Sequence, residues 1–446
     1  MDKKETILHS AGRSLGGATL PHFKGTAESE TIIMPPPKSV AIPLQQHIGV
    51  PCEPTVKAGD KVYVGTKIGD SEKLVCAPVH SSVSGTVTKI TDVIPANGKP
   101  VKMVFIESDG LMEPDPKIAP VKVETEEDLV KAARECGLVG LGGAGFPAHV
   151  KLTKRPGVEL DTLIINGAEC EPYITADYRE CMENAEDILN GLYLVKKILG
   201  LKKVIIGVED NKPKALKKLA EIASEKYDAE DEVKVMRLKS RYPQGAEKVL
   251  IYSTTKRKLP LGKLPSDIGC IVMNITSISA LSKYIKTGMP LVTKRITVDG
   301  DAIKNPCNVL VPIGTSAEEI IEFCGGFTEE PDKIILGGPM MGNAIVSTDV
   351  VIAKPNNAVL CFKEKKPHIS TACIKCGRCI AACPMNLTPA AVEAKVSRKK
   401  LDADFFSKMN VGYCMECGCC SFVCPAKREL VQAMRIAKNE MRRNVK

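Results

Sequence analysis

Tryptophan is absent from the 446 residues, and phenylalanine and tyrosine number nine each, so aromatic side chains make up 4% of the chain. Surfaces that bind single-stranded nucleic acid rely on aromatic stacking platforms. No helix-turn-helix or zinc-finger pattern is present either, and nucleic acid is therefore not the expected partner. A long apolar run is also missing. Nothing approaches the roughly 18 consecutive apolar residues that a membrane-spanning helix needs. The N-terminus, MDKKETILHS, lacks the apolar core of a secretory signal. Low-complexity tracts are absent. These gaps lead to the expectation of a chain that stays in the cytoplasm unless a partner tethers it to a membrane.

What is present is cysteine, in quantity: 18 residues. In a reducing compartment clustered cysteines point to metal rather than to disulfides. Eight of them fall into two tight runs near the C-terminus. Cys52, Cys76, Cys136, Cys181, Cys270, Cys307, Cys324 and Cys361 are scattered and read as plain small core or surface residues. The net charge of +9 is unevenly placed. From Lys365 to Lys446 there are 16 Lys and Arg against 6 Asp and Glu, a surplus of +10, which leaves the rest of the chain at −1. A basic segment around anionic clusters suits compensation of thiolate charge, or docking of an acidic electron-transfer partner.

The length suggests about three domains by the usual size prior, and the pattern divides into four regions. Residues 1–116 open with a Gly- and Pro-rich arm (GGATLPHFKGT, MPPPK) that is not expected to be regular structure. Short β-type runs follow (VAIPL, DKVYVGTKI, GTVTKI, VKMVFI), read as a small all-β unit. The stretch APVHSSVSGTVTKI looks like the turn of a lipoyl-type barrel-sandwich. His80, Ser81 and Ser82 stand at the tip where a modified lysine would be, so the shape is expected without the covalent cofactor.

Residues 117–290 alternate helical and strand patterns. TEEDLVKAARECG carries a Thr-x-x-Asp cap signature, DTLIING is a buried strand, and ENAEDILNGLYLVKKILG, KKVIIGVED and NKPKALKKLAEIASEKY continue the alternation. That order predicts an open α/β sheet with helices on its faces. Residues 291–367 return to strand–strand–helix order, with a hairpin expected around Asp299-Gly300, and fit a β-grasp module. Residues 368–446 form the cysteine domain.

The first cysteine run is Cys373-x2-Cys376-x2-Cys379-x3-Cys383-Pro384. The second is Cys414-x2-Cys417-x2-Cys420-x3-Cys424-Pro425. Both match the bacterial ferredoxin spacing for [4Fe–4S] ligation, in which the fourth cysteine of each run serves the other cluster. Cys373, Cys376, Cys379 and Cys424 are therefore assigned to one cluster, and Cys414, Cys417, Cys420 and Cys383 to the second. Cys419 is left unligated. A zinc site needs four ligands in all, commonly two CxxC pairs, and two complete runs with eight cysteines between them exceed that pattern. Two adjacent clusters make a one-electron relay.

The second constellation is Gly140-Leu-Gly142-Gly143-Ala-Gly145-Phe146-Pro147, with Lys151 after it. It contains G-x-G-x-x-G but follows a helix rather than a strand, so it is not a dinucleotide fingerprint. A glycine loop still admits close approach of a phosphate or a flat ring, and the competing reading is a tight structural turn. The next strand ends in Asn166-Gly167-Ala168-Glu169-Cys170-Glu171-Pro172. Ligands gather at the carboxyl ends of such strands, and a solvated loop is the alternative there.

The succession GLGGAGFPAHVK, IINGAECEP, YPQGAEK, MNITS resembles the flavin- and NADH-binding subunit of respiratory complex I. Carried over by position, the resemblance implies that Gly140, Gly142, Gly143, Gly145, Lys151, Asn166, Glu169, Gly245 and Asn274 line FMN. It implies that Phe146, Glu171, Tyr242 and Glu247 contact the nicotinamide nucleotide. Leu141, Ala168, Ala246 and Met273 depart from that family's pattern. Over nearly its whole length the chain resembles the RnfC family, a component of the bacterial Rnf ion-translocating electron-transport complexes. That likeness runs through PLQQHIGVPCEPTVKAGDKVYVGTKIG, APVHSSVSGTV, NGAECEPYITADYR and the paired cysteine runs. The resemblance implies four modules in order: a barrel-sandwich hybrid, a complex-I-flavoprotein-like α/β domain, a β-grasp module of the soluble-ligand-binding type and a 2[4Fe–4S] ferredoxin-like helical domain. It also implies FMN, two [4Fe–4S] clusters, NAD(H) as substrate, ferredoxin or a ferredoxin-like subunit as redox partner, and membrane subunits that couple electron flow to Na⁺ or H⁺ movement. The place implied is the cytoplasmic face of the membrane, peripherally bound. A soluble reductase of the same build, such as a corrin reductase of a metabolic microcompartment, is the alternative, and a relay without flavin a third reading.

Overall fold

The computed structural model describes residues 8–10, 16–94, 99–227, 232–364 and 369–443. His368, where the sequence division starts the cysteine module, lies outside the described residues. The central unit is a parallel five-stranded sheet in the order Leu8–Ser10, Val233–Leu238, Lys203–Glu209, Thr162–Gly167, Cys270–Asn274. The inner strands read as unbroken apolar runs because helices cover both faces. Leu163, Ile165, Val204, Ile206 and Ile271 join the inward residues of helices Glu126–Glu135, Ala185–Leu199, Pro213–Lys226 and Ile275–Thr287 in one core. The predicted capping box at Thr125 and Asp128 forms. ENAEDILNGLYLVKKILG splits: the helix Ala185–Leu199 ends at Gly200 in the left-handed region (φ 63°), and a separate helix, Ala176–Glu183, precedes it.

A four-stranded sheet (Ser39–Pro43, Val101–Ser108, Gly85–Val93, Lys61–Val62) faces a three-stranded one (Glu53–Pro54, Lys67–Asp70, Val79–His80) over a core of Val40, Ile42, Ile68, Val83, Val87 and Ile106. This is the barrel-sandwich. Its tip differs from a lipoyl turn: His80, Ser81 and Ser82 are buried, and the Ser82 hydroxyl donates to the Ile313 carbonyl of the third unit.

That third unit is a six-stranded sheet. Thr293–Asp299 pairs not with the residues just after Asp299-Gly300, as the expected hairpin would have it, but with Cys307–Pro312, and residues 300–306 form the longer connection. Gly300 (φ 116°) is required there, since a Cβ would lie 2.1 Å from the Cys361 carbonyl oxygen.

The N-terminal arm crosses between units. Leu8–Ser10 adds an edge strand to the central sheet, and Ile32–Ile33 adds one to the third. GGATLPHFKGT has no strand, only a single bridge between Ala18 and Tyr242. A buried ionic cluster joins the central and third units: Arg295 bonds Glu180, and reaches Glu183 at 2.8 Å, while Lys283 lies 3.0 Å from Glu180. Burial alone would raise the Glu180 carboxyl, but the two cations hold it at about 2.

The C-terminal unit is helical, and its two halves repeat. Lys375 and Glu416, Gly377 and Gly418, and Asn386 and Lys427 are three pairs, each with both members at positive φ and each separated by 41 positions (416 − 375, 418 − 377, 427 − 386). Each glycine opens a short helix, Arg378–Ala381 or Cys419–Phe422. Among the described residues no helix is long and apolar enough to cross a membrane.

Candidate flavin and iron–sulfur site

The glycine loop is pinned at its neck and open at its tip. Gly140 N–H donates to the Phe146 carbonyl (2.9 Å), and Val139 bridges Pro147. Leu141, where the complex I pattern differs, is buried in the central core, and its backbone is held from two sides. Its N–H donates to Ser277 Oγ (3.1 Å) and its carbonyl accepts from buried Lys294 Nζ (3.2 Å). Gly142 and Gly143 are exposed at the tip. A Cβ on Gly142 would lie 2.5 Å from Asn274 Nδ2, whereas one on Gly143 would meet nothing within 4 Å. Gly145 (φ 70°) lets the loop rest on the barrel, with Gln46 O 3.2 Å and His47 Cα 3.4 Å from a notional Cβ.

Opposite the tip, Asn166 and Asn274 end neighbouring parallel strands in register. Asn274 caps the helix Ile275–Thr287, its Oδ1 accepting from Thr276 and Ser277 N–H, and its Nδ2 donates to Asp177 (2.8 Å). Asn166 Nδ2 donates to the Gly245 carbonyl (2.8 Å). Lys151 Nζ donates to the Val272 carbonyl (3.0 Å) and lies 3.7 Å from Glu247. The structure thus brings Gly140, Gly142, Gly143, Lys151, Asn166, Gly245, Glu247 and Asn274 to one end of the parallel sheet, the end where open α/β sheets bind ligands. Phe146, half-buried, closes the loop neck.

Glu169 and Glu171 point elsewhere. The Glu169 carboxylate is 3% exposed and caps the helix Ala176–Glu183, accepting from Asp177 N (2.6 Å) and Tyr178 N (3.3 Å), with Lys24 Nζ at 4.0 Å. Burial pushes Glu169 up to about 7. Sequence reading missed Lys24 and Lys212. Lys212 is buried and Lys24 half-buried, and both are aimed at carbonyls of this strand end: Lys24 at Glu169 (3.0 Å), Glu171 (2.8 Å) and Ile174, and Lys212 at Ala168 (2.7 Å). A lysine in a Gly-rich arm carries no local signal of burial.

Glu171 turns toward the third unit. Its Oε2 accepts from Met340 N–H (3.0 Å), while its Oε1 is buried without a hydrogen-bond partner, as is the Tyr242 hydroxyl. Burial pushes Glu171 up to about 7. Tyr242 packs with Ala18, Leu20, Ala382, Cys417 and Cys419, and its carbonyl accepts from the Cys419 thiol (3.6 Å). The Tyr242 hydroxyl lies beside the Glu171 carboxylate, so these two buried polar atoms can serve each other or a polar ligand edge.

The cysteines assigned to the second cluster share one cavity. Cys383, Cys414, Cys417 and Cys420 line it, with Cys419, Met385, Leu387 and Met434. Of the other four, Cys379 and Cys424 pack in one apolar group with Leu430 and Val431, while Cys373 and Cys376 are exposed.

Four family models match the chain in order. They are the RnfC barrel sandwich hybrid domain over residues 13–111, the Nuo51 FMN-binding domain over 133–283, the SLBB domain over 295–344 and the 4Fe-4S dicluster domain over 372–427. The corresponding component of the Na⁺-translocating ferredoxin:NAD⁺ oxidoreductase complex of Acetobacterium woodii is 42% identical over 96% of this chain and 97% of its own length. The chain belongs to the RnfC family. The counterpart from the proton-translocating complex of Clostridium ljungdahlii is also 42% identical, over 94% of this chain and 92% of its own. A solved NAD⁺-reducing [NiFe]-hydrogenase aligns with 71% of this chain and 53% of its own at TM-score 0.48 and 20% identity. The cofactors of this RnfC chain are accordingly FMN, in the central unit, and [4Fe–4S] clusters, in the C-terminal one. The residues present fit both groups: an open glycine tip facing two asparagines, and a thiol-lined cavity.

Proposed function

We propose that this chain is the peripheral subunit through which electrons pass between NAD(H) and a ferredoxin-type carrier in a membrane-bound, ion-translocating Rnf complex. The observation that carries the reading is the seating of Tyr242 against Cys417 and Cys419, which joins the strand ends of the FMN-binding unit to the second cysteine loop. Gly140, Gly142, Gly143, Lys151, Asn166, Gly245 and Asn274 hold the flavin. Gly145 and Glu169 fix the backbone around it, through the barrel contact and the helix cap. Phe146, Glu171, Tyr242 and Glu247 face the nicotinamide nucleotide. Bound flavin supplies the conversion between two-electron hydride chemistry and one-electron cluster chemistry.

Cys414, Cys417, Cys420 and Cys383 hold the cluster nearer the flavin. Cys373, Cys376, Cys379 and Cys424 hold the outer one, whose exposed thiols and basic surroundings suit an acidic carrier. The +10 surplus of the last region also suits attachment through protein partners at the cytoplasmic face.

Glu171→Gln tests the nucleotide assignment. Glutamine keeps an oxygen for the Met340 N–H and removes the charge. FMN and iron should stay bound, while kcat/KM for NADH oxidation should fall roughly tenfold, the scale of one charge-assisted hydrogen bond. Unchanged NADH oxidation by this variant would show that Glu171 does not serve the nucleotide.

A further inference from the structure

The barrel holds a second cluster of metal-ligating side chains, separate from the cysteine domain. His47, Cys52 and Cys76 converge to within 4.8 Å of one another, all buried. Their exposures are 7%, 2% and 0%. The two Sγ atoms are 3.3 Å apart, and His47 Nε2 lies 3.6 Å from Cys76 Sγ and 3.9 Å from Cys52 Sγ. A tetrahedral ion with sulfur at about 2.3 Å and nitrogen at about 2.0 Å separates sulfur from sulfur by roughly 3.8 Å and sulfur from nitrogen by roughly 3.5 Å. The observed triangle approximates that set. A disulfide would need about 2.05 Å.

The histidine tautomer is the one a ligand needs: Nδ1 faces the Ile48 carbonyl (3.2 Å) as a donor, and the Nε2 lone pair accepts the Ala77 N–H (3.2 Å), a bond that a metal ion would replace. The Ile48 contact is the arrangement usual behind a metal-bound imidazole. Next to the cluster, fully buried Lys354 donates to Pro78 O and Gly137 O, each at 2.7 Å, and pairs with no carboxylate among the described residues. Burial brings the Lys354 pKa down to about 8, against the pull of Cys136, Cys52 and Cys76.

We propose that His47 Nε2, Cys52 Sγ and Cys76 Sγ bind a thiophilic closed-shell metal ion, zinc(II) or copper(I), at the floor of the glycine loop. Binding forms two metal–sulfur bonds and one metal–nitrogen bond and releases two thiol protons to solvent. The site braces the loop, because Ile48 N–H donates to the Gly145 carbonyl (3.2 Å) one residue beyond the histidine.

The test is elemental analysis and X-ray absorption on the anaerobically purified holoprotein. One zinc or copper per chain is expected beside the iron, the element deciding between the two ions. The absorption edge of that metal should show two sulfurs at about 2.3 Å and one imidazole nitrogen at about 2.0 Å. The Cys52→Ser/Cys76→Ser variant should lose this metal and keep its iron. No such metal even after anaerobic reconstitution with zinc(II) or copper(I) would overturn the proposal. So would a shell of four sulfurs, which places the ion in the ferredoxin-type loops, or a Cys52–Cys76 disulfide found by mass.

Discussion

Cys414→Ser should stop electrons from NADH reaching any one-electron acceptor at the cysteine end, while the flavin remains reducible by NADH. Cys414 belongs to the set around the cavity that abuts Tyr242, so its loss removes the cluster nearest the flavin. Cys373→Ser should act differently. Cys373 is exposed and takes no part in the apolar group around Tyr242, and its loss removes the outer cluster only. Each variant should fall from about eight irons to about four. Under NADH, the Cys373 variant should still show a reduced cluster by low-temperature EPR, and the Cys414 variant none. Cluster reduction in the Cys414 variant together with its loss in the Cys373 variant would reverse the proposed order.

Gly142→Ala should cost the chain its FMN. A Cβ there collides with Asn274 Nδ2 at 2.5 Å, and Asn274 cannot yield freely: it caps a helix through Oδ1 and holds Asp177 through Nδ2. Loss of the cap alone costs about 1 kcal/mol. Gly143→Ala meets no protein atom. Both variants should purify without flavin but with full iron. Only Gly142→Ala should also lower the denaturation midpoint of flavin-free protein. Normal flavin content in Gly142→Ala would remove the tip of the loop from the site.

How far the sequence carried these conclusions depends on the range of the interactions involved. The cysteine runs are legible because ligand spacing is a local property, and the structure repeats their backbone turns at the same 41-residue interval. The central strands are legible because burial on both faces makes them continuous apolar runs. Strands of two or three residues, Leu8–Ser10 and Ile32–Ile33, have no such pattern, since their pairing depends on distant partners. The same holds for His80 to Ser82: a barrel tip exposed by analogy is covered by the third unit. Lysine ordinarily signals surface, so Lys212, Lys294 and Lys354 could not be read as buried supports, nor Lys24 as a half-buried one. Cys52 and Cys76, 24 positions apart, look scattered until the barrel folds them together. Glu169 was legible as part of the acidic strand end, but its role as a helix cap required the third dimension.

The most direct test of the account is anaerobic reduction of the intact, cofactor-loaded chain by NADH, followed by stopped-flow absorbance with freeze-quench EPR. Flavin absorbance should bleach first and cluster reduction should follow, without any added protein. Flavin and clusters that stay oxidised with NADH, yet reduce with dithionite, would contradict it.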